Sequence, residues 1–261
     1  MSEIHFNYIL SKISELANSD SIYCLDFGCS QGGLVKKIID KNIKAVGVDI
    51  LKRNNDTYEE KLSKNNLTLN KDIFLYDGRN GEKLPFEDST FDIVISNMVF
   101  EHIRDIKPCL FEIHRVLKPR GKLLALFPTA ECFYEGHALL YGVHKLNKYE
   151  KIQYLYMHLM DEIGLGKNKG KSKNKENLRG VQRYIRTKCF YHSSKEINQI
   201  WKDIFRNTPV NDELGYFIFR LQRHPKFRIF KNLSNFVVFQ KLFVYITIFR
   251  MTRVYIGEKL S

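Results

Sequence analysis

The residues with the clearest chemical potential are Asp26-Phe27-Gly28-Cys29-Ser30-Gln31-Gly32, which close the short apolar run Ile22 to Phe27. A second carboxylate, Asp49, closes the next apolar run, Ile43 to Val48. Without a Cβ, Gly28 and Gly32 let a turn tighten and let a ligand lie against bare backbone, while a helix that follows presents free N–H groups. Such a turn alone suits phosphate binders and redox domains as well. Asp49 narrows the reading, because a carboxylate at the end of the second strand can accept two hydrogen bonds from the vicinal hydroxyls of a ribose. Taken singly, Asp26 could be a helix N-cap, Asp49 a solvated strand end, and Asp77-Gly78 an ordinary turn. Their joint order points instead to a ribose-bearing ligand.

The elements that must position these residues are legible in the hydrophobic pattern. Residues Phe6 to Ala17 carry apolar side chains at helical spacing. Strands are expected at Ile22–Phe27, Ile43–Val48, Asp72–Tyr76, Phe91–Ser96 and Lys122–Phe127, with helices through Ile39 and over Ile106–Leu117, and Pro119, Arg120 and Gly121 turning the chain before the fifth strand. This alternation is the mark of an α/β fold with a mostly parallel sheet and helices on both faces. Ligands of such sheets bind beyond the carboxyl ends of the strands, where the chain order reverses. The regularity ends near Thr129. Ala130 to Ile163 is mostly helical in composition, and residues 164–180 are a Gly, Lys and Asn stretch expected as a surface loop. Ser193 or Ser194 is expected to cap a helix through Ile204, and Leu214–Leu221 and Arg253–Lys259 read as two late strands.

The chain has 261 residues and a formal net charge of +13, so anionic partners are drawn to its surface. Residues 166–180 hold six Lys or Arg against one Glu. Biased Lys and Asn usage explains this excess as well as an anionic partner does. The five cysteines, Cys24, Cys29, Cys109, Cys132 and Cys189, contain no C-x-x-C pair, so neither a disulfide framework nor a metal site is expected. The amino-terminal residues lack the basic flank and apolar core of a signal peptide, and a cytoplasmic location is expected. The most apolar stretch, Leu233 to Phe249, is interrupted by Asn235, Gln240 and Lys241 and is too broken for a membrane span. The segment 226–253 mixes aromatic and aliphatic residues with Lys226, Arg228, Lys231, Lys241, Arg250 and Arg253, a composition compatible with peripheral membrane contact or with a core-facing helix.

Three stretches, LDFGCSQGG, LPFEDSTFDIVISNMVFEHI and IHRVLKPRGKLLALFPT, give the chain a resemblance to the class I S-adenosylmethionine-dependent methyltransferases, within the broad group that modifies small molecules and glycans. The resemblance covers residues 20–129. It implies a Rossmann-like, seven-stranded, mostly parallel sheet with a helical lid inserted after the fifth strand. The chain then divides into a cofactor-binding half at 1–129, an insertion at 130–192 with its basic loop at 164–180, and a completion of the sheet at 193–261. It also implies S-adenosyl-L-methionine as cofactor, with Asp26, Gly28, Cys29 and Gly32 around the methionine moiety, Asp49 on the ribose, Asp77 and Gly78 beside the adenine, and Asn97 near the amino-acid end. Ser30 stands where the family commonly has a glycine.

On the acceptor side, Phe133-Tyr134-Glu135-Gly136-His137 follows the fifth strand and offers His137 as a general base with Glu135 as its orienting partner, His144 being a rival. Glu101-His102 recurs in the resembling family across unrelated substrates, which suits a loop-ordering pair, and His102 is kept as a candidate near the site. The expected reaction is O-methylation of a small-molecule or carbohydrate-like acceptor, glycan precursors foremost. Two other readings follow from the same residues: an RNA methyltransferase that uses the basic surface, and a non-catalytic scaffold of the same fold. Against the first, Ser96-Asn97-Met98-Val99 stands where a base-amine enzyme would carry an Asn-Pro-Pro-Tyr type sequence.

Overall fold

The computed structural model describes residues 3–17, 21–50, 55–77, 83–166, 175–223, 237–250 and 252–260. After helix α1 (Glu3–Leu16), the chain alternates through β1 (Tyr23–Phe27), α2 (Gly33–Ile39), β2 (Lys44–Ile50), α3 (Asn55–Ser63), β3 (Ile73–Tyr76), β4 (Phe91–Asn97), α4 (Ile106–Val116) and β5 (Leu117–Phe127). The sheet is seven-stranded, in the order β3-β2-β1-β4-β5-β9-β8. Its first five strands pair in parallel, and β9 (Arg253–Glu258) runs antiparallel between β5 and β8 (Val210–Asn211). The chain thus forms the expected Rossmann-like α/β fold.

The parallel strands are buried on both faces, as near-continuous runs such as Phe91-Asp92-Ile93-Val94-Ile95 demand. One core lies on the face covered by α4 and α7 (Ser194–Phe205), built around Phe91, Phe127, Trp201 and Tyr255. The opposite core packs Ile9 and Ile13 of α1 and Val35 and Ile38 of α2 against Cys24, Ile93 and Leu124. Chain order reverses between β1 and β4, so the carboxyl ends of those two strands border the crevice where ligands of open sheets bind.

Four expectations are corrected. Leu214–Leu221 is no strand but the interior of helix α8 (Glu213–Arg223). Its Tyr216 packs on Tyr8 of α1 at 4.9 Å and its Phe217 on Phe243 of α9 (Val237–Arg250) at 4.6 Å, so packing against two neighbouring helices overrides the strand propensity of its aromatic and β-branched residues. Residues 130–163 begin with a hairpin, β6 (Tyr134–Glu135) and β7 (Leu140–Tyr141), before helix α5 (Glu150–Glu162). Two-residue strands are too short to display alternation. The expected loop at 164–180 gives way to helix α6 (Lys175–Lys188) from Lys175. Pro119-Arg120-Gly121 does not precede β5 but lies within it, as an irregularity against β4 with Arg120 at φ 63°. The capping expectation at Ser193 stands: its side chain accepts the Glu196 N–H at 3.1 Å.

Within 226–253, Lys226, Arg228 and Lys231 lie outside the described residues, whereas α9 leaves Val237, Val238 and Tyr245 exposed. Among the described residues no helix is long and apolar enough to cross a membrane.

Candidate functional site

The glycine-bearing turn is built by hydrogen bonds that return it to β2. Gly28 and Cys29 both donate their N–H groups to the Val48 carbonyl, at 2.8 and 3.1 Å, and Gly32 donates to the Cys29 carbonyl at 2.9 Å. Gly28 has φ 80°, and a Cβ there would lie 2.3 Å from Val99 Cγ2, so both backbone conformation and space require glycine. Ser30 occupies the left-handed region at φ 51°, which explains why the resembling family favours glycine there. Two contacts hold it: its N–H donates to Asp49 Oδ2 at 2.6 Å, and its carbonyl accepts the hydroxyl of Tyr58 from α3.

Asp26, Asp49, Asp77 and Asn97 stand at the carboxyl ends of four strands that are neighbours in the order β3-β2-β1-β4. Asp26 is buried, and burial, reinforced by the charge of Asp49, raises its pKa from 3.8 to about 7. Asp49 also accepts the Ile50 N–H, on Oδ1 at 2.8 Å. Asp77 follows β3, and Gly78 lies outside the described residues. Asn97 is buried, with Oδ1 3.0 Å from His5 Nδ1. His5 of α1, Tyr58 and Val99 are site residues that the sequence reading missed. His5 reaches Asn97, and Tyr58 and Val99 the turn, from remote segments with no local motif to announce them.

A second cluster lies beyond β4 and β5. His137 Nδ1 is 2.6 Å from Glu135 Oε1, so the expected pair is in hydrogen-bond contact. Glu135 is buried and also accepts the Ala138 N–H at 2.6 Å and the Tyr191 hydroxyl at 2.8 Å. Burial raises the pKa of this carboxyl, but the hydrogen bond and charge of His137, with the two further donors, carry it below the ordinary value. The His102 ring lies 5.3 Å from that of His137, with Nδ1 2.8 Å from the Lys188 carbonyl. Burial lowers its pKa. Beside it Glu101 is buried, and burial with the charge of Glu135 pushes its carboxyl up to about 8. Tyr184 of α6 and Cys189 complete the cluster, neither expected from sequence. His144 is buried behind the cluster, against the Tyr191 ring, and burial with the charge of Lys145 lowers its pKa to about 4, too low for an effective base. The two clusters meet through the Val99–His102 segment, since Val99 packs over Gly28 and the His102 N–H donates to the Val99 carbonyl at 2.8 Å.

Comparison with known proteins identifies the architecture. A family profile described as a methyltransferase domain matches residues 25–125, which carry the turn, Asp49, Asn97 and Glu101-His102. The chain carries a class I S-adenosylmethionine-dependent methyltransferase domain. It is similar to the sterol 4-C-methyltransferase of Caenorhabditis elegans, 31% identical over 52% of this chain and 36% of that protein. It is also similar to a ubiquinone biosynthesis O-methyltransferase of Rickettsia bellii, 28% identical over 46% of this chain and 48% of that protein. The chain therefore spans about half or less of the length of these relatives. In fold it resembles the phosphoethanolamine N-methyltransferase 2 of Haemonchus contortus, with a TM-score of 0.52 and 16% identity over all of this chain and 53% of that one. The methyltransferase domain thus has relatives named for transfer to carbon and to oxygen, and the cluster beyond β5 lies outside the matched residues apart from Glu101 and His102.

Proposed function

We propose that the protein transfers the methyl group of S-adenosylmethionine to a hydroxyl oxygen of a small organic acceptor. The observation that carries the reading is the unbroken row of polar strand ends, Asp77, Asp49, Asp26 with its glycine turn, and Asn97, beside a cluster that holds an imidazole on a carboxylate. The residues fit the cofactor. The turn at Gly28 and Gly32 would carry its methionine portion, Asp49 accept its ribose hydroxyls, Asp77 border its adenine, and Asp26 and Asn97 meet its amino-acid end. The cofactor supplies an electrophilic methyl carbon on a sulfonium. The work left to the chain is to align an acceptor oxygen with that carbon, exclude water and receive the acceptor's proton. His137, oriented by Glu135, is the proposed base, and His102 the neighbouring polar wall.

The relatives named for sterol and ubiquinone chemistry support a ring-bearing acceptor alongside the carbohydrate-like one expected from sequence. Labelled cofactor offered with a panel of phenols, sterols and glycosides should transfer label to one of them. Replacement of His137 by Gln should lower turnover about 10²- to 10⁴-fold, the usual contribution of a positioned base, with cofactor affinity unchanged. Undiminished turnover removes His137 from the mechanism. Failure of the wild-type chain to bind cofactor in a titration would favour the scaffold reading.

A further inference from the structure

The cluster beyond β4 and β5 contains more than an acid–base pair. One ring nitrogen each of His102 and His137 and the Sγ of Cys189 lie within 4.8 Å of one another, the one such grouping of metal-ligating side chains among the described residues. Cys189 Sγ is 3.8 Å from His137 Nδ1 and 4.0 Å from His102 Nδ1. Ligands of a tetrahedral zinc ion, with bonds of about 2.0–2.3 Å, stand about 3.3–3.7 Å from one another. The three groups therefore need to close in by up to about 1.5 Å.

From this placement we propose that His102, His137 and Cys189 form a binding site for a zinc-class divalent ion, with a fourth position left open. The donor set selects the metal. Two imidazoles and a thiolate suit zinc or cobalt(II), whereas magnesium and calcium take oxygen ligands. The Nδ1 of each ring, the nitrogen nearest Cys189 Sγ, rests on an oxygen, His137 on Glu135 at 2.6 Å and His102 on the Lys188 carbonyl at 2.8 Å. An ion bound through these nitrogens takes the place of those two hydrogen bonds.

An independent observation comes from Glu101. It is 1% exposed, neither carboxylate oxygen has a hydrogen-bond partner on another described residue, and Oε1 lies 3.9 Å from His102 Nε2. A buried carboxyl left unpaired is costly, and a cation in the adjacent cluster offsets that cost. Access is compatible with an open position, because both imidazoles are about 30% exposed while Cys189 is buried beneath them.

The three ligands come from three segments, the turn after β4, the β6–β7 hairpin and the α6–α7 connection. The ion would bind these segments together over the strand ends. The inference goes beyond the methyl-transfer reading and rests on the cluster alone. With the ion in place, an acceptor oxygen meets the open coordination position in place of the His137 lone pair.

The test uses the purified full chain, stripped with chelator and titrated with cobalt(II) chloride, then with zinc chloride. One equivalent of cobalt should give the intense visible bands of a tetrahedral site and a thiolate-to-cobalt charge-transfer band in the near ultraviolet, both erased by one equivalent of zinc. Cys189→Ser should remove the charge-transfer band, and His102→Ala should weaken zinc binding at least 100-fold. A wild-type chain that gives no tetrahedral cobalt spectrum overturns the proposal, as does a charge-transfer band that survives in Cys189→Ser. Binding of S-adenosylhomocysteine, measured on the same preparations, checks folding of each variant. It also separates the two readings, since a chain that binds the nucleoside and no cobalt refutes only the ion site.

Discussion

Ser30 donates its N–H to Asp49 Oδ2 at 2.6 Å while its own backbone is held at φ 51°. The carboxylate proposed to hold the ribose therefore also fastens the turn proposed to hold the methionine end. Replacing Asp49 by Ala removes the ribose acceptors and the anchor of the turn together. Hydrogen bonds to a charged group contribute about 1.5–3 kcal/mol each, so affinity for S-adenosylhomocysteine should fall at least about 100-fold in a calorimetric titration. Unchanged affinity would show that the nucleoside binds elsewhere.

Asp26 should make the proposed cofactor site sensitive to pH. Burial, with the charge of Asp49, raises its pKa from 3.8 in the unfolded chain to about 7 in the folded one. Between those values the folded state binds more protons than the unfolded state, so this carboxyl's contribution to stability is present at low pH and is lost as pH rises toward 7. The α-ammonium group of the cofactor, placed against Asp26, would favour the ionised form, so binding should release a proton and tighten between pH 5.5 and 8. Titrations in buffers of different ionisation enthalpy count that proton. In Asp26→Asn the ligand-free protein should gain stability at pH 8 and the pH dependence should vanish. An affinity flat across this range in the parent protein would exclude Asp26 from the contact.

Gly28 and Val99 test whether the turn and the β4 loop form one surface. A Cβ on Gly28 would sit 2.3 Å from Val99 Cγ2, on a residue at φ 80°. Gly28→Ala should cost about 1–3 kcal/mol of stability from crowding and backbone strain and abolish measurable cofactor binding. Val99→Ala removes the crowding but not the strained φ. The double variant should therefore recover part of the stability and show a coupling above about 0.5 kcal/mol in a thermal-unfolding cycle. Strict additivity would mean that the contact is relaxed in solution.

What the sequence made legible follows from how local each signal is. Asp26, Gly28, Gly32 and Asp49 sit at the ends of apolar runs whose period and punctuation declare strand, turn and helix, and these runs appear as β1, α2 and β2 within a residue or two. The partners that complete the site come from afar. His5 reaches Asn97 across 92 residues, and Cys189 approaches His102 across 87. No spacing rule spans such separations, and a search for C-x-x-C pairs passes over a lone cysteine that meets two histidines only after folding. Helix α8 was misread because Tyr216, Phe217, Ile218 and Phe219 have strand propensities, and their environment, packed between α1 and α9, decided otherwise.

The far edge of the sheet offers a test of stability separable from the site. Trp201 of α7 lies buried on the antiparallel strand β9, and a Cβ on Gly257 would meet its Nε1 at 2.4 Å and its Cζ2 at 2.5 Å. Indole and strand backbone are thus in direct contact, with no space for even one methyl group. Gly257→Ala should force the ring or the strand to move, at a cost of about 1–3 kcal/mol, visible as a lower thermal midpoint and a red-shifted emission of the single tryptophan. Because β9 pairs with β5 and not with the strands that carry Asp26 and Asp49, the fraction that remains folded should bind S-adenosylhomocysteine with unchanged affinity. A loss of affinity beyond the loss of folded protein would show that the antiparallel edge is coupled to the cofactor crevice through β5.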